Sequence, residues 1–378
     1  MKKRPSILIL TGSFGHGHNT AAYNLKKAFR RSLGSDAQVE VVDFIAQAYP
    51  KINAVLRKGY AFAINCAPGI WKQIYRLADS SGAKLFSFKF ISRKLDHFLT
   101  EEQPCAVVSV FPFFPLLVGQ AYPDRATRPY PFFTIVTDAI SINAIWCQGQ
   151  SDLLFVTDAW SKQVVVDLGI TPECVRAHGF PLRLRQDTEE MLAPPNKESL
   201  RILYLPTTRT THVRATLNRL VPWCQEHHAK LTVVLGNHGE RLSQVIAEAQ
   251  RQLPDNQLTV HGWHDDVPGL MRQHHLTLTK AGGATVSEAL GAECPLLINY
   301  VVPGQEEGNA ELMLKSHCGQ RIQDASELPK ALTEILAEND ASLWQQFRTN
   351  LEQLNRAQAS QRIVEDVLEF VQANVTPN

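Results

Sequence analysis

Apolar residues in this chain gather into short runs separated by stretches with helical spacing. The runs are Ile7–Leu10, Val39–Val42, Ala106–Val110, Phe132–Val136 and Leu153–Val156, then Ile202–Leu205, Leu231–Leu235, Leu258–His261, Leu276–Leu278 and Leu296–Ile298. Runs of this length predict buried strands, and their alternation with helices predicts parallel sheets covered on both faces. Between the two sets lies 186–200, where Glu189-Glu190 and Pro194-Pro195-Asn196-Lys197 read as an exposed linker. We therefore expect an α/β chain of two similar domains, 1–185 and 201–378, with the last helix available to pack back on the first. Such halves leave a cleft between the carboxyl ends of their strands, where open parallel sheets bind ligands.

Two loops would face that cleft. Thr11-Gly12-Ser13-Phe14-Gly15-His16-Gly17-His18 follows the first strand and precedes a helix expected over Thr20–Arg31, whose Ala21, Ala22, Leu25, Ala28 and Phe29 share one face. In the second half, Gly282-Gly283 follows the strand at Leu276–Leu278, and a helix is expected from Thr285 with the spacing Val286, Ala289, Leu290. Adjacent glycines let backbone approach phosphate oxygens closely, and a helix N-terminus offers unpaired N–H groups with a partial positive charge. Glu288, one turn further on, is suited to accept hydrogen bonds from both hydroxyls of a ribose. Taken alone, Gly-Gly is an ordinary turn with Thr285 as helix cap; Glu288 and the run Pro303-Gly304-Gln305-Glu306-Glu307-Gly308-Asn309 favour the nucleotide.

Composition narrows the field. With 378 residues, 44% of them apolar, the chain can build two cores. Its 38 basic and 37 acidic side chains create no global field to draw in nucleic acid. The seven cysteines are scattered singly, without a Cys-x-x-Cys pair, against a zinc site or disulfide framework and in favour of a reducing cytosol. Behind the basic Met1–Pro5 the apolar run is too short for a signal peptide. Gln103–Pro123 has 21 residues without charge, but Pro104, Pro112, Pro115 and Pro123 disfavour a membrane helix. A buried strand at Ala106–Val110 leaving through a Pro112–Pro115 turn is expected instead.

Taken together, Gly15-His16-Gly17-His18-Asn19-Thr20-Ala21-Ala22, Thr137-Asp138, Thr279–Leu290 and Pro303–Ala310 resemble the inverting GT-B glycosyltransferases that include monogalactosyldiacylglycerol synthases and bacterial diacylglycerol glucosyltransferases. More distant is the N-acetylglucosaminyltransferase of peptidoglycan lipid precursors. The resemblance implies two Rossmann-like domains facing each other across a cleft, acceptor and membrane on the first side and UDP-sugar on the second. It implies that Gln305 and Glu306 hold the donor hexose, Glu288 the ribose, and Gly282, Gly283 and Thr285 the diphosphate, with Gly15, Gly17 and Asn309 on the donor side. Gly179-Phe180-Pro181-Leu182-Arg183 resembles an element whose arginine reaches the diphosphate, a role a guanidinium fork suits; otherwise Arg183 is a solvated linker charge. Trp263 and His264 fall where relatives cradle uracil, or Trp263 is core.

His18 matches the family's loop histidine. An imidazole titrating near neutrality can take the acceptor hydroxyl's proton as it attacks the anomeric carbon. The alternative has His18 bonding a phosphate or capping a turn and Asp138 as base; Asp138 in turn could only orient a partner. His16 and His18 lack further ligands at metal spacing, and no required metal or other cofactor is expected. Departures from the family pattern are Ser13-Phe14, Phe111, the stretch Ala139–Trp146 with Ile142 and Asn143, and Leu205-Pro206-Thr207-Thr208-Arg209-Thr210-Thr211, where hydroxyls or Arg209 would replace backbone contacts to phosphate.

Between Lys51 and Lys94 stand nine cations against the single acid Asp79, interleaved with Tyr60, Phe62, Trp71, Tyr75 and other apolar groups beside Lys72 and Arg76. This mixture suits an anionic membrane surface, or a helix pair packed on the first sheet with its lysines in solvent. The expected activity is hexosyl transfer from UDP-galactose or UDP-glucose to diacylglycerol by a cytoplasmic enzyme, peripheral on the inner face of the cell membrane. Rival readings are N-acetylglucosaminyl transfer to a polyprenyl-diphosphate lipid, a soluble UDP-N-acetylglucosamine 2-epimerase, and a nucleotide-sugar-binding protein without turnover.

Overall fold

The computed structural model describes residues 6–13, 16–34, 37–66, 88–183, 192–196, 200–254, 256–303, 306–336 and 339–374. Their strands are β1 Ser6–Leu10, β2 Gln38–Val42, β3 Ala106–Ser109, β4 Phe132–Ile135, β5 Leu153–Phe155, β6 Val175–Arg176, β7 Arg201–Leu205, β8 Lys230–Val234, β9 Leu258–His261, β10 Leu276–Lys280, β11 Leu296–Tyr300 and β12 Gly319–Arg321. They form two six-stranded sheets ordered β2-β1-β3-β4-β5-β6 and β12-β11-β10-β7-β8-β9, parallel throughout. In the centre of the first sheet, every residue of β3 and β4 is buried. Helices cover both faces there, which is why these strands read as mostly apolar runs with only Ser109 and Thr134 as small polar members. The edge strands β2 and β9 carry polar, partly exposed positions.

The chain divides into two compact units, which are described separately. The first contains residues 1–185, 303–308 and 356–378; the second contains 186–302 and 309–355. Thus the described residues 192–196 and 200 group with the second unit, and that unit is not the continuous 201–378. The helix Ala359–Asn374 packs on helix His16–Leu33. It is held by Phe370 edge-on to Phe133 at 5.5 Å, by Ser360 Oγ donating to the Leu182 carbonyl at 2.6 Å and by His178 Nε2 against Asp366 Oδ2 at 2.8 Å. Gly179 makes the close approach: at φ +108° it adopts backbone that side chains rarely reach, and a Cβ there would lie 3.2 Å from that of Ala359.

In each sheet the strand order reverses once, between β1 and β3 in the first and between β7 and β10 in the second. At such switch points the loops leaving adjacent strands part and open a ligand crevice. The loop after β1 and the Gly-Gly turn after β10 both stand there. Pro112–Pro115 proves to be the start of helix Phe113–Ala121, because Pro115 falls in the first turn, where a missing N–H costs nothing. No helix among the described residues is long and apolar enough to cross a membrane.

Candidate functional site

In the first unit, the loop after β1 is laced by side chains. Thr11 Oγ1 donates to Asn19 Oδ1 at 2.9 Å, Asn19 Nδ2 reaches Ser13 Oγ at 3.3 Å, and the Ser13 amide bonds Asp43 Oδ2 at 3.0 Å. These bonds do the work that extra glycines would otherwise leave to bare backbone. The helix starts at His16 rather than Thr20, so Gly17 and His18 sit in its first turn, not on a free loop. The four N-terminal amides of a helix need no intrahelical partner, and glycine and histidine are admitted there at little cost.

His18 Nδ1 lies 2.8 Å from the carbonyl of Val110, the residue after β3, and 3.1 Å from Thr137 Oγ1. A carbonyl only accepts, so Nδ1 carries the proton and Nε2 keeps its lone pair. Phe111 stands edge-on to the imidazole at 5.1 Å and Trp146 tilts over it at 6.1 Å. Burial lowers the His18 pKa below 6.5, against the opposing pull of Asp138 and of the bond to Val110. Asp138 is the mirror case: burial raises its carboxyl, while His18 and the Trp146 indole lower it. Trp146, itself buried, donates Nε1–H to Asp138 Oδ2 at 3.0 Å. The unit thus holds a neutral imidazole with a free lone pair beside a carboxyl fixed by an indole.

Gly12 belongs to this packing, since a Cβ on it would come within 2.8 Å of the Phe111 ring. Gly12→Ala is expected to turn Phe111 off His18 and destabilise the protein by about 1–3 kcal/mol, read as a lower urea midpoint; an unchanged midpoint would contradict this account.

In the second unit, β10 slips register against β11 between Thr279 and Lys280 as it enters the Gly-Gly turn. Bulges of this kind re-aim the chain next to sites. Helix Gly283–Gly291 is capped by Gly282, without a side-chain cap, and Thr285 is its third residue rather than its cap. Its first intrahelical bond runs from the Val286 amide to the Gly282 carbonyl at 2.9 Å, leaving the amides of Gly283, Ala284 and Thr285 available to an anion. Asn309 pins the turn from below, donating Nδ2–H to the Ala281 carbonyl at 3.1 Å. Glu288 is half-buried in the same helix. Burial and then the nearby Asp266 carboxylate raise its carboxyl to about 7. Asp266 is itself occupied capping helix Val267–Arg272 through the Gly269 amide at 3.0 Å.

Trp263 is 57% exposed and bonds Asp265 through its indole N–H at 2.7 Å, so it is not core. His264 Nδ1 accepts the Asp266 amide at 3.1 Å. Arg183 is partly buried in the first unit, where Asn24 fixes the Pro181 carbonyl at 3.1 Å. Glu306 is buried. Gly15, Gln305, Trp71, Lys72, Tyr75 and Arg76 lie outside the described residues, as do the side chains of Tyr60 and Phe62. Sequence reasoning missed the Val110 carbonyl that selects the His18 tautomer, the Trp146 bond to Asp138, and Asp266 as the charge acting on Glu288. A backbone acceptor leaves no residue-type signal, and Trp146 entered only as the end of a stretch that departs from the family pattern.

Two parallel six-stranded sheets, each with its candidate residues at the switch point, make the GT-B fold. Solved structures share it: a kitacinnamycin glycotransferase (TM-score 0.62, 13% identity, 98% of this chain and 99% of that one), S. aureus MnaA with UDP (0.61, 14%, 99% and 99%) and Acinetobacter baumannii MurG (0.57, 13%, 97% and 100%). Residues 18–182 match the family model described as monogalactosyldiacylglycerol (MGDG) synthase. The processive diacylglycerol beta-glucosyltransferase of Bacillus thuringiensis (strain Al Hakam) is 29% identical over all of this chain and 96% of its own length, and that of Bacillus cereus (strain AH820) 28% over the same shares. The chain is a hexosyltransferase, and it is similar to the monogalactosyldiacylglycerol synthases and the bacterial diacylglycerol glucosyltransferases.

Proposed function

We propose that this enzyme moves a hexose from UDP-galactose or UDP-glucose to diacylglycerol, with inversion, while resting on the cytoplasmic face of a membrane. The observation that carries the reading is the His18 tautomer: Nδ1–H is tied to the Val110 carbonyl, and Nε2 is left as a neutral base beside Asp138. An acceptor hydroxyl gives its proton to Nε2 as its oxygen attacks the anomeric carbon from the face opposite the UDP oxygen, which departs with the bonding pair. The relatives named for diacylglycerol transfer supply the acceptor class. On the donor side, the diphosphate meets the amides of Gly283, Ala284 and Thr285, the ribose hydroxyls meet Glu288, and uracil lies at Trp263 and His264. Glu306 and Gln305 take the sugar, and Arg183 the departing charge. Amides and a guanidinium neutralise the diphosphate in this scheme, with no divalent ion.

Membrane contact is proposed through helices Pro50–Cys66 and Lys89–Glu102. Ile52, Val55 and Leu56 share a helical face and are 56%, 70% and 50% exposed, and Phe90 is 75% exposed. Phe90 lies against Tyr49, over which Lys94 sits at 4.8 Å. Lys51, Arg57, Lys58, Lys89 and Arg93 are exposed on the same two helices, and each adds about 1 kcal/mol at an anionic surface. Val55→Asp with Phe90→Asp is expected to lower co-sedimentation with phosphatidylglycerol vesicles at least tenfold without unfolding the protein. Equal sedimentation of variant and parent would sink the docking face.

The test of function is incubation of purified protein with diacylglycerol vesicles and each UDP-sugar in turn. Thin-layer analysis and the anomeric proton coupling of the product report acceptor, donor and stereochemistry together. A glycolipid with inverted configuration is expected. No hexosyl-diacylglycerol from either donor, with turnover of UDP-N-acetylglucosamine instead, would replace this reading by the polyprenyl-lipid transferase or the epimerase.

A further inference from the structure

Two residues beyond Asp138 the backbone is strained. Ile140 stands at φ +56°, the left-handed region that a β-branched residue enters only when its surroundings compel it. The turn closes tightly around it, with the Ser141 amide on the Ala139 carbonyl and the Ile142 amide on the Ile140 carbonyl at 3.0 Å. What compels it is a buried polar cluster remote in sequence. The Ile140 amide donates to Ser161 Oγ at 2.8 Å, and Ser161 Oγ donates its own proton to Asp158 Oδ2 at 2.7 Å. Asp158 also accepts the Thr157 hydroxyl at 2.6 Å and the Ser161 amide at 2.8 Å. Thr157, Asp158 and Ser161 are 3%, 1% and 0% exposed.

The cluster has its own structural duty, because Asp158 caps helix Ala159–Asp167. Capping needs only the carboxylate and the Ser161 amide. The Ser161 hydroxyl is surplus to it and is spent on Ile140. A hydroxyl that donates to a carboxylate becomes a stronger acceptor, so the bond to the Ile140 amide is strengthened by Asp158. On its other side the turn meets Gly308, which groups with the same unit. A Cβ there would lie 2.0 Å from the Ala139 carbonyl oxygen and 2.5 Å from the Ser141 nitrogen. Ala139–Ser141 is therefore gripped from both sides, immediately after the carboxyl that faces His18.

We propose that Ser161, backed by Asp158, is a positioning residue that acts through the strained turn at Ile140 to hold Asp138 against His18. The proposal rests on the reading of His18 and Asp138 as the pair that activates the acceptor. Neither Ser161 nor Asp158 touches the pair: the force is transmitted through the backbone of 139 and 140. Removing the hydroxyl leaves the Ile140 amide without its acceptor, and the turn relaxes out of the left-handed region, taking Asp138 with it.

The test is Ser161→Ala, alone and combined with Ile140→Gly, which removes the conformational cost that Ser161 opposes. In Ser161→Ala, kcat is expected to fall about 10- to 100-fold with the donor KM unchanged, and Ile140→Gly is expected to restore part of it. The second readout needs no substrate: the His18 imidazole, followed by NMR in the selectively labelled full-length protein, is expected to titrate at lower pH once Asp138 has moved away. If Ser161→Ala does not fold, Gly308→Ala presses on the same turn and is expected to move the same titration. An unmoved His18 titration in a folded variant overturns the positioning role, even if stability drops. A wild-type protein that transfers no hexose overturns the functional reading and leaves the titration result standing by itself.

Discussion

His18→Ala is expected to lower kcat about 100- to 10,000-fold, the range that general-base removal commonly costs, while UDP still binds with its original affinity. The separation follows from where the residue sits. His18 is in the first unit at the β1–β3 switch point, whereas the free amides and Glu288 belong to the second. The pH dependence fixes the role more sharply. Burial holds the imidazole below its usual 6.5, so it is neutral through the physiological range and protonates only on the acid side. Activity is then expected to be flat above pH 6.5 and to fall as pH drops through the lowered pKa. The Asp138 carboxylate works against that lowering, so Asp138→Asn is expected to push the acid limb to still lower pH. If Asp138 were the base, Asp138→Asn would abolish turnover and His18→Ala would be mild. The same lowering has a stability consequence: the unfolded chain binds a proton near 6.5 more readily than the native one, so the native state loses stability as pH falls below that value. Full activity in His18→Ala would discard the base assignment.

Much of the architecture was legible because the central strands are mostly apolar. The ten runs read from sequence all fall on strands, since burial on both faces keeps the central ones mostly apolar, with small hydroxyl residues such as Thr134 and Thr277 as their interruptions. The two strands that escaped are β6, only Val175-Arg176, and β12, Gly319-Gln320-Arg321, edge pieces whose pairing is set by backbone after the sheet already exists. Helix starts were misjudged by a few residues for a related reason. Gly17 and Gly283 suggested loop, yet glycine is tolerated in a first turn. The return of residues 356–378 to the first unit depends on contacts such as Ser360 with Leu182, 178 residues apart, which no local pattern encodes. Of the site, the motif residues could be named because glycine, histidine and acid stand out beside strand ends. Their electrostatic state could not, since the lowering at His18 and the raising at Glu288 come from neighbours supplied by other strands and helices.

Glu288→Gln is expected to strengthen the folded state while weakening UDP binding, and the opposition of the two effects is what makes it diagnostic. The carboxyl is partly withdrawn from water and faces the Asp266 carboxylate, which together raise it from 4.5 to about 7. The folded state therefore binds a proton more tightly than the unfolded chain, and stability falls as pH climbs from about 4.5 to about 7, levelling above. A neutral amide of the same shape escapes that loss. The gain should be about 0.5 kcal/mol at pH 5 and reach about 2 kcal/mol at pH 8, figures reduced from the full shift because the side chain retains some solvent. A ribose reverses the balance: its two hydroxyls donate to the carboxylate, and hydrogen bonds to a charged group contribute about 1.5–3 kcal/mol. Glutamine offers one acceptor and a donor that competes for the second hydroxyl. UDP affinity is expected to fall about 10- to 100-fold at pH 8, a loss worth roughly 1.4–2.7 kcal/mol. Urea unfolding at pH 5 and pH 8 and calorimetric titration with UDP at pH 8 measure both sides. A variant that binds UDP as well as the parent would remove Glu288 from the ribose site. One that gains no stability at pH 8 would mean that the carboxyl is not strained by Asp266 in the empty site.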